Sequence, residues 1–496
     1  MMDFIPVFPL FQKLHLIRAS TLVVLIILFS LTPFSFLFPF LVSSNRLSLP
    51  DLKLSPNSVS LDVIATYFAD FPLNYTNFGE SGRRIQILQN WVENASGDIA
   101  VWTAIEIFAL SLFPFLRHPV EKQPLLSLLR RHVPGSRGIV VPVGTSSFRF
   151  ACHLVGSIRN VLNSQIPIEI AYAGESDLPL AYRQFLSSLA PEIYLLDVTS
   201  YFDDDIVGLS IGTWAIKPFA ILASRFEQVI LMDSDSILLQ EPEKILDSHN
   251  GFKKTGLLLF HDRLLWKNAY PERHAWWQEQ MKHTSPSLNF RSSRVHNENY
   301  AEEGESGLVV VDKARISTLM GVLHVAWQNT KDVRTQVTYL MGYGDKESWW
   351  LAFELCDVPY TFESHYAAIL GETVKIDGVT RVCSFHIAHT DENDALLWFN
   401  GGLLKSKMGN NAEYWFPEVW MLDGEWEKSQ DKSTWSCMKN GTLFPLDERT
   451  VRVLQESVNE ARRLDPATID YNGQALDAVD VLLVARSIRA LDFFVN

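Results

Sequence analysis

A short apolar run, Val229-Ile-Leu-Met232, breaks directly into Asp233-Ser-Asp235, resumes as Ile237-Leu-Leu239 and closes at Glu241-Pro242. An apolar run this short, bounded by polar residues, reads as a buried strand. In extended chain, side chains two residues apart share a side, so Asp233 and Asp235 end that strand with two carboxylates directed together. Such hard oxygen ligands suit one divalent cation that keeps open positions for phosphate oxygens. The chemistry served is transfer from a diphosphate-activated donor, where a metal neutralises the leaving group. An isolated Asp-x-Asp is also ordinary turn chemistry, so the surrounding chain has to decide.

That chain alternates strands and helices. Residues 138–144, 168–172 and 193–196 read as strands, and residues 148–162, 180–189 and 217–226 as the helices between them. The spacing predicts an α/β layered fold with mostly parallel strands. Ligands in such sheets bind beyond the carboxyl ends of the strands, where Gly144, Thr145, Gly174 and the two aspartates would lie. Two more strands are expected at 256–260 and 307–311. Between them, residues 270–302 are polar and irregular, and a loop this long suggests an acceptor-side lid. Gly344-Asp-Lys-Glu347 opens a helix over 348–355. Residues 381–389 read as a strand, 398–402 as a loop, and the chain from about 448 as helical.

The N-terminus has its own pattern. Lys13, His15 and Arg18 face one acid, Asp3, and residues 19–45 carry no charge. That run is long enough to cross a bilayer as a helix, and the flanking positive charge keeps the N-terminus cytosolic. A cleaved signal peptide ending near Val42-Ser-Ser44 is the alternative. Residues 99–116 are also strongly apolar, but Glu106 in their middle and Pro114 near their end argue for a buried helix.

A net charge of −14 without a basic stripe excludes a nucleic-acid partner. Cys152, Cys356, Cys383 and Cys437 allow three full pairings, with no zinc-like spacing among them. Cys152, in an apolar helical pattern, reads as a buried free thiol. Asn74-Tyr-Thr76, Asn94-Ala-Ser96 and Asn440-Gly-Thr442 are N-glycosylation acceptors.

A series of blocks in fixed order carries a resemblance: Gly138-Ile-Val-Val-Pro-Val-Gly144, Ile168-Glu-Ile-Ala-Tyr-Ala-Gly174, Trp214-Ala-Ile-Lys-Pro-Phe219, Met232-Asp-Ser-Asp235, Glu305-Ser-Gly307 with Asp312-Lys313, Gly344-Asp-Lys-Glu347, and His386-Ile-Ala-His389 followed by Asn400-Gly-Gly402. Over residues 98–430 the chain resembles the fungal α-1,3-mannosyltransferases of the MNN1 kind, type II Golgi enzymes. One departure is Ser234, where many relatives carry Ala. The resemblance implies a GT-A type, Rossmann-like fold, GDP-mannose as donor, a mannose-containing glycan as acceptor, Mn²⁺ as metal and retention of anomeric configuration. Together with the patterns along the chain, the expected organisation is a cytosolic tail (1–18), a signal anchor (19–42), a stem (43–97), a helical cap (98–135), a lumenal catalytic domain (136–430) and a C-terminal helical extension (431–496).

The resemblance also assigns residues. Asp233 and Asp235 would hold the metal and donor diphosphate, with His389 as third ligand and His386 as its alternative. Lys217 would reach the donor phosphates, and Gly144 and Thr145 would let the nucleotide approach backbone closely. Asp345 and Glu347 either face the donor sugar and acceptor hydroxyl or cap the helix that follows. Glu305 would hold sugar hydroxyls, and Trp398 and Asn400 would contact the acceptor, the tryptophan by stacking. Asp262-Arg263 reads as a salt bridge. Two other functions stay open: a GT-A transferase using a UDP-sugar, and a non-catalytic, membrane-anchored carbohydrate-binding protein.

Overall fold

The strand leading into Asp233 lies in the interior of a mixed sheet. A computed structural model describes residues 61–117, 120–211, 214–406, 413–429 and 433–469, with residues 431, 476, 480 and 481. The first eight strands are β1 (Val133–Pro142), β2 (Ile168–Tyr172), β3 (Ile193–Asp197), β4 (Phe226–Met232), β5 (Ser236–Leu238), β6 (Leu257–His261), β7 (Gly304–Asp312) and β8 (Thr361–Phe362). All of these but β5 form one sheet in the order β3-β2-β1-β4-β7-β6-β8. β1 pairs in parallel with both β2 and β4, β2 pairs in parallel with β3, and β7 runs antiparallel to β4 and β6. The expected parallel order therefore holds through β4 and reverses at β7.

The later strands are β9 (Ala368–Ile376), β10 (Val379–Ser384), β11 (Ile387–Thr390), β12 (Leu396–Asn400), β13 (Val419–Leu422), β14 (Glu425–Glu427), β15 (Ser436–Lys439) and β16 (Thr442–Pro445). With β5 they make a second sheet, in which β9 is flanked by β10, β11 and β13. One apolar cluster joins the two sheets through residues such as Ile139, Ile230, Leu258, Ala388 and Trp398. A Cys383–Cys437 disulfide ties β10 to β15, while Cys152 and Cys356 are buried free thiols.

Helix ends follow capping chemistry. The Asp98 side chain accepts from the Ala100 N–H at 2.8 Å and starts the helix Ile99–Leu112. Glu106, the acid inside that apolar helix, is buried and accepts the N–H groups of Leu125 and Leu126 at 3.1 and 2.8 Å. It thereby caps the helix Pro124–Leu129 and satisfies its own buried charge, as a buried helix requires.

Several expectations need correction. Residues 270–302 are not an irregular loop: they form helices Pro271–Met281, Leu288–Ser292 and Arg294–Glu298. Their buried side is narrow, His274, Trp277, Gln280 and Met281 in the first helix, and their polar composition hid it. Residues 381–389 are two strands, β10 and β11, broken at Phe385-His386, and residues 396–400 are the strand β12 rather than a loop. The stretch read as stem contains helices Leu61–Asp70 and Phe78–Glu93, the second packed against helices Ile316–Gln328 and Lys346–Cys356. The extension read as helical opens with β15 and β16, which belong to the second sheet, so the folded body does not stop at residue 430. Beyond them the expected helix stands at Glu448–Leu464.

Asn74, Asn94 and Asn440 are all exposed. The expected membrane anchor, residues 19–42, lies outside the described residues. Among the described residues no helix is long and apolar enough to cross a membrane.

Candidate functional site

β4 ends at Met232, and the next backbone group, the Asp233 N–H, donates to the Gly307 carbonyl on β7 at 2.9 Å. The Ser236 N–H donates back to the Asp233 carbonyl at 3.0 Å. Asp233-Ser-Asp235 is therefore a tight turn rather than extended chain, because it carries the backbone from β4 in one sheet to β5 in the other. Both sheets hold it. Ser236 Oγ donates to the Gly307 carbonyl at 3.0 Å, and the Gly401 and Gly402 N–H groups donate to the Asp235 carbonyl at 3.1 and 2.7 Å. Both aspartate side chains remain partly open to solvent.

Lys217 comes from the first turn of helix Ile216–Ala223, which packs against β1 and β4. Its buried Nζ donates to Asp233 Oδ2 at 3.1 Å and to the carbonyl and hydroxyl oxygens of Ser306, each at 3.0 Å. It lies 3.5 Å from Asp345 Oδ1. Burial would push this amine down, but Asp233 and Asp345 outweigh it and hold its pKa above the usual lysine value. For Asp233, burial prevails over the Lys217 ammonium and raises the carboxyl, with Asp345 adding to the rise.

Asp345 precedes helix Lys346–Cys356 but its side chain does not cap that helix. It accepts from Trp349 Nε1 at 2.9 Å and faces Lys217 instead. Glu347 is not gathered with it, and the expectation that it faces the substrates is corrected. The Glu347 carboxyl accepts the N–H groups of Glu303 and Gly304 at 3.0 and 3.3 Å and Trp350 Nε1 at 2.6 Å. Burial pushes its pKa up to about 8.

Glu305 is buried beside this cluster, with both oxygens engaged. One accepts from the Gly307 N–H at 2.9 Å and Asn400 Nδ2 at 3.2 Å, the other from Lys346 Nζ at 2.8 Å. Lys346 also donates to Asp262 at 2.5 Å, and Arg263 Nε donates to the same carboxylate at 3.3 Å. Burial works against both carboxylates. Lys346 nevertheless holds Glu305 below its ordinary pKa, and with Arg263 it brings Asp262 to about 2. Sequence reasoning missed Lys346 and Ser306, while the Asp262–Arg263 salt bridge it read is formed, with Lys346 added to it. The signal was present, because both missed residues stand inside blocks that carry the resemblance.

Gly144 and Thr145 lie past the end of β1. A Cβ at position 144 would come within 2.5 Å of Asp177 Oδ1, so only glycine lets that carboxylate close in. Asp177 Oδ2 accepts the Ala173 N–H at 2.8 Å, and Thr145 donates its N–H and hydroxyl to the Asp177 carbonyl, each at 2.8 Å. The rim over β1 and β2 is thus a backbone-lined ledge with an exposed threonine.

The histidines separate cleanly. His386 Nε2 lies 3.0 Å from the Leu404 carbonyl, which can only accept, and Nδ1 lies 3.0 Å from Ser384 Oγ. Both nitrogens are used, so His386 is no ligand. His389 is buried, burial pushes its pKa down to about 4, and its Nε2 has no hydrogen-bond partner. Its ring stacks on Trp398, centroids 4.3 Å apart. Among the described residues no three His, Cys, Asp or Glu side chains gather closely enough to hold a metal ion. The expected Asp233, Asp235, His389 set is therefore not formed. Trp398 has no exposed surface; strand β12 holds it against His389 and Phe260, so it offers no face to an acceptor. Asn400 is tied to Glu305.

The chemistry of the cluster still fits a cation completed by a substrate. Asp233, Asp345, Glu305 and Asp262 face Lys217, Lys346 and Arg263, and Asp235 adds a carboxylate at the open edge. That acidic excess, with two carboxylates partly open, matches a divalent ion that takes one or two protein oxygens and its remaining ligands from phosphates and water.

Residues 136–391 match the family model described as "Mannosyltransferase putative". Among curated proteins the chain is 28% identical over 287 residues to the α-1,3-mannosyltransferase MNT3 of Saccharomyces cerevisiae, covering 50% of this chain and 44% of that protein. It is 26% identical over 302 residues to MNT2 of the same yeast, covering 54% and 52%. The chain spans about half the length of these relatives. A solved galactosyltransferase, LgtC with donor and acceptor sugar analogues, overlaps 46% of this chain and 73% of its own at 14% identity and a TM-score of 0.31, too partial an overlap to carry argument.

Proposed function

The chain belongs to this putative mannosyltransferase family, and from that premise we propose that it moves mannose from GDP-mannose to a mannose-containing glycan, in α-1,3 linkage and with retention of configuration. The observation that carries the proposal is the convergence of Lys217 and Asp233, from the two ends of one helix–strand unit, with Asp345 from a distant helix start, at one partly open turn at the end of β4. The fold assigned to this reading is GT-A type, with the donor diphosphate over the Asp233-Ser-Asp235 turn and the nucleoside over the Gly144–Thr145 ledge.

Mn²⁺ held by Asp233 and Asp235 would supply Lewis-acid neutralisation of the leaving diphosphate. Lys217, fixed by Ser306 and Asp345, places a second positive charge where that leaving group departs. Asp345 keeps the ammonium aimed at the turn. Glu305 and Glu347 have their carboxyl oxygens occupied, and Asp345 is held between Lys217 and Trp349, so none of the three is a free nucleophile. The acceptor hydroxyl then attacks on the face the leaving group vacates and gives its proton to a phosphate oxygen. Golgi residence and an N-terminal membrane anchor belong to the same reading.

The test is transfer by a soluble form from residue 46 onward, with Mn²⁺ and a mannoside acceptor, against GDP-mannose and a panel of UDP-sugars. Product from GDP-mannose alone, in α-1,3 linkage, is expected. Product from a UDP-sugar would overturn the donor, and donor binding without turnover would mark a carbohydrate-binding protein.

A further inference from the structure

Two large aromatic rings stand in solvent beside the charged cluster. Trp214 is 44% exposed and Tyr343 43% exposed. Their centroids lie 5.6 Å apart and their planes meet at 43°, so they form an open V rather than a closed stack. Each is anchored next to a cluster residue. Trp214 stands three positions before Lys217, and Tyr343 two before Asp345, whose side chains meet at 3.5 Å. The residue between Tyr343 and Asp345 is Gly344, at φ +65°. A Cβ there would come within 3.0 Å of the Trp214 ring, so the indole lies directly on the Gly344 backbone. Any other side chain would both strain this backbone and displace the ring.

An exposed tryptophan seated on backbone, with an exposed tyrosine ring beside it, suits a ligand with one apolar face and polar edges. Topology says which half of the reaction they serve. The Gly144–Thr145 ledge, suited to the nucleoside, lies over β1 and β2. Tyr343 precedes the helix that packs on β7, which is the other neighbour of β4. Trp214 precedes the helix that packs on β1 and β4, so the pair straddles β4 beside the Lys217–Asp345 contact, and with the ledge given to the nucleoside the rings are left to the second substrate.

We propose that Trp214 and Tyr343 are the stacking platform for the acceptor's pyranose ring, replacing Trp398 in the role that sequence alone suggested for it. The inference rests on the mannosyl-transfer reading for the identity of that sugar. Its C–H face lies on the rings, and its hydroxyl edge turns toward Asp345 and the Asp233 turn.

Saturation-transfer NMR with methyl α-D-mannopyranoside tests this without requiring turnover. The wild-type chain shows transfer to the ring protons of the sugar, Trp214→Ala and Tyr343→Ala lose most of it, and Trp214→Phe restores part. Thermal melting of each variant confirms folding. In steady-state transfer, Trp214→Ala raises KM for the mannoside about tenfold and KM for GDP-mannose less than about twofold. No mannoside signal from the wild-type chain, or an undiminished signal in both alanine variants, overturns the platform. A rise in donor KM with acceptor KM unmoved also overturns it and assigns the rings to the nucleobase. If mannoside binds through Trp214 and yet GDP-mannose is not turned over, the platform stands and the transferase reading fails.

Discussion

Lys217 Nζ lies 2.9 Å from an Asp233 oxygen, although the two residues sit at opposite ends of a helix–strand unit. The lysine is buried, whereas the aspartate keeps 24% of its side chain open. A buried cation thus holds an acid at the edge of solvent. Lys217→Met leaves Asp345 buried without its cation, a change that costs about 3–5 kcal/mol where one partner of a buried pair is removed. The expected outcome is a melting temperature lower by several degrees and transfer reduced by roughly two to three orders of magnitude. Adding Asp345→Asn should recover part of the stability in calorimetry and none of the activity. Recovery of activity in the double variant would mean the pair is only structural.

The proposed metal dependence divides the residues differently. EDTA should abolish transfer, and Mn²⁺ should restore it. In calorimetric titration with Mn²⁺ in the presence of GDP, Asp233→Asn and Asp235→Asn should lose the binding heat. His389→Ala should keep it, because His389 is not gathered with the aspartates. Loss of metal binding in His389→Ala without loss of fold would restore the three-ligand site.

Glu347 sets a pH dependence of stability. Its folded pKa of about 8 stands above the ordinary glutamate value, so between the two the folded chain binds a proton that the unfolded chain does not. Its contribution is complete at pH below the unfolded value near 4.5, and is lost as pH rises through about 8. The slope from this one group is at most about 1.4 kcal/mol per pH unit. Chemical denaturation from pH 5 to 8.5 should show stability falling with pH, and the fall should be shallower in Glu347→Gln. An equal fall in both proteins would place the dependence elsewhere.

Local pattern carried most of the elements, and it failed where tertiary context took over. The strands around 168–172 and 229–232 are short, mostly apolar runs, buried throughout and legible without tertiary context. The helices over 271–298 have narrow buried faces that composition masks. The side shared by Asp233 and Asp235 could not follow from alternation, because the turn exists only to pass the chain between two sheets. Lys217 was legible, being a cation at a helix start in a recognisable block. Lys346 stood in such a block too, but its pairing was not legible, because its partners Asp262, just past β6, and Glu305, on β7, lie 84 and 41 residues away. Trp398 misled for the same reason: a tryptophan before Asn-Gly-Gly reads as a loop residue until β5 is seen pairing with β12.

Asp465, just beyond the helix Glu448–Leu464, gives the last prediction. Arg149 donates to it from Nε and Nη2 at 2.9 and 2.7 Å, His153 Nε2 lies at 2.7 Å, and the Tyr414 hydroxyl also donates to it. These contacts lock the C-terminal helix onto helix Phe148–Gly156, which follows the ledge at Gly144. Burial would raise the Asp465 carboxyl, but His153, Arg149 and Tyr414 outweigh it and hold it well below the ordinary carboxylate range. A depressed acid contributes stability above its unfolded pKa, near 4, and loses that contribution as pH falls below it. Asp465→Ala leaves Arg149 buried without a counter-ion and should cost about 3–5 kcal/mol. Asp465→Asn keeps the shape and should cost less. Hydrogen exchange should localise the loss to residues 448–464 and 148–156, and the acid-unfolding midpoint should lie at lower pH in the wild-type chain than in Asp465→Ala, with a shallower pH dependence in both variants. Uniform exchange across both sheets would show instead that Asp465 supports the whole fold and not this junction.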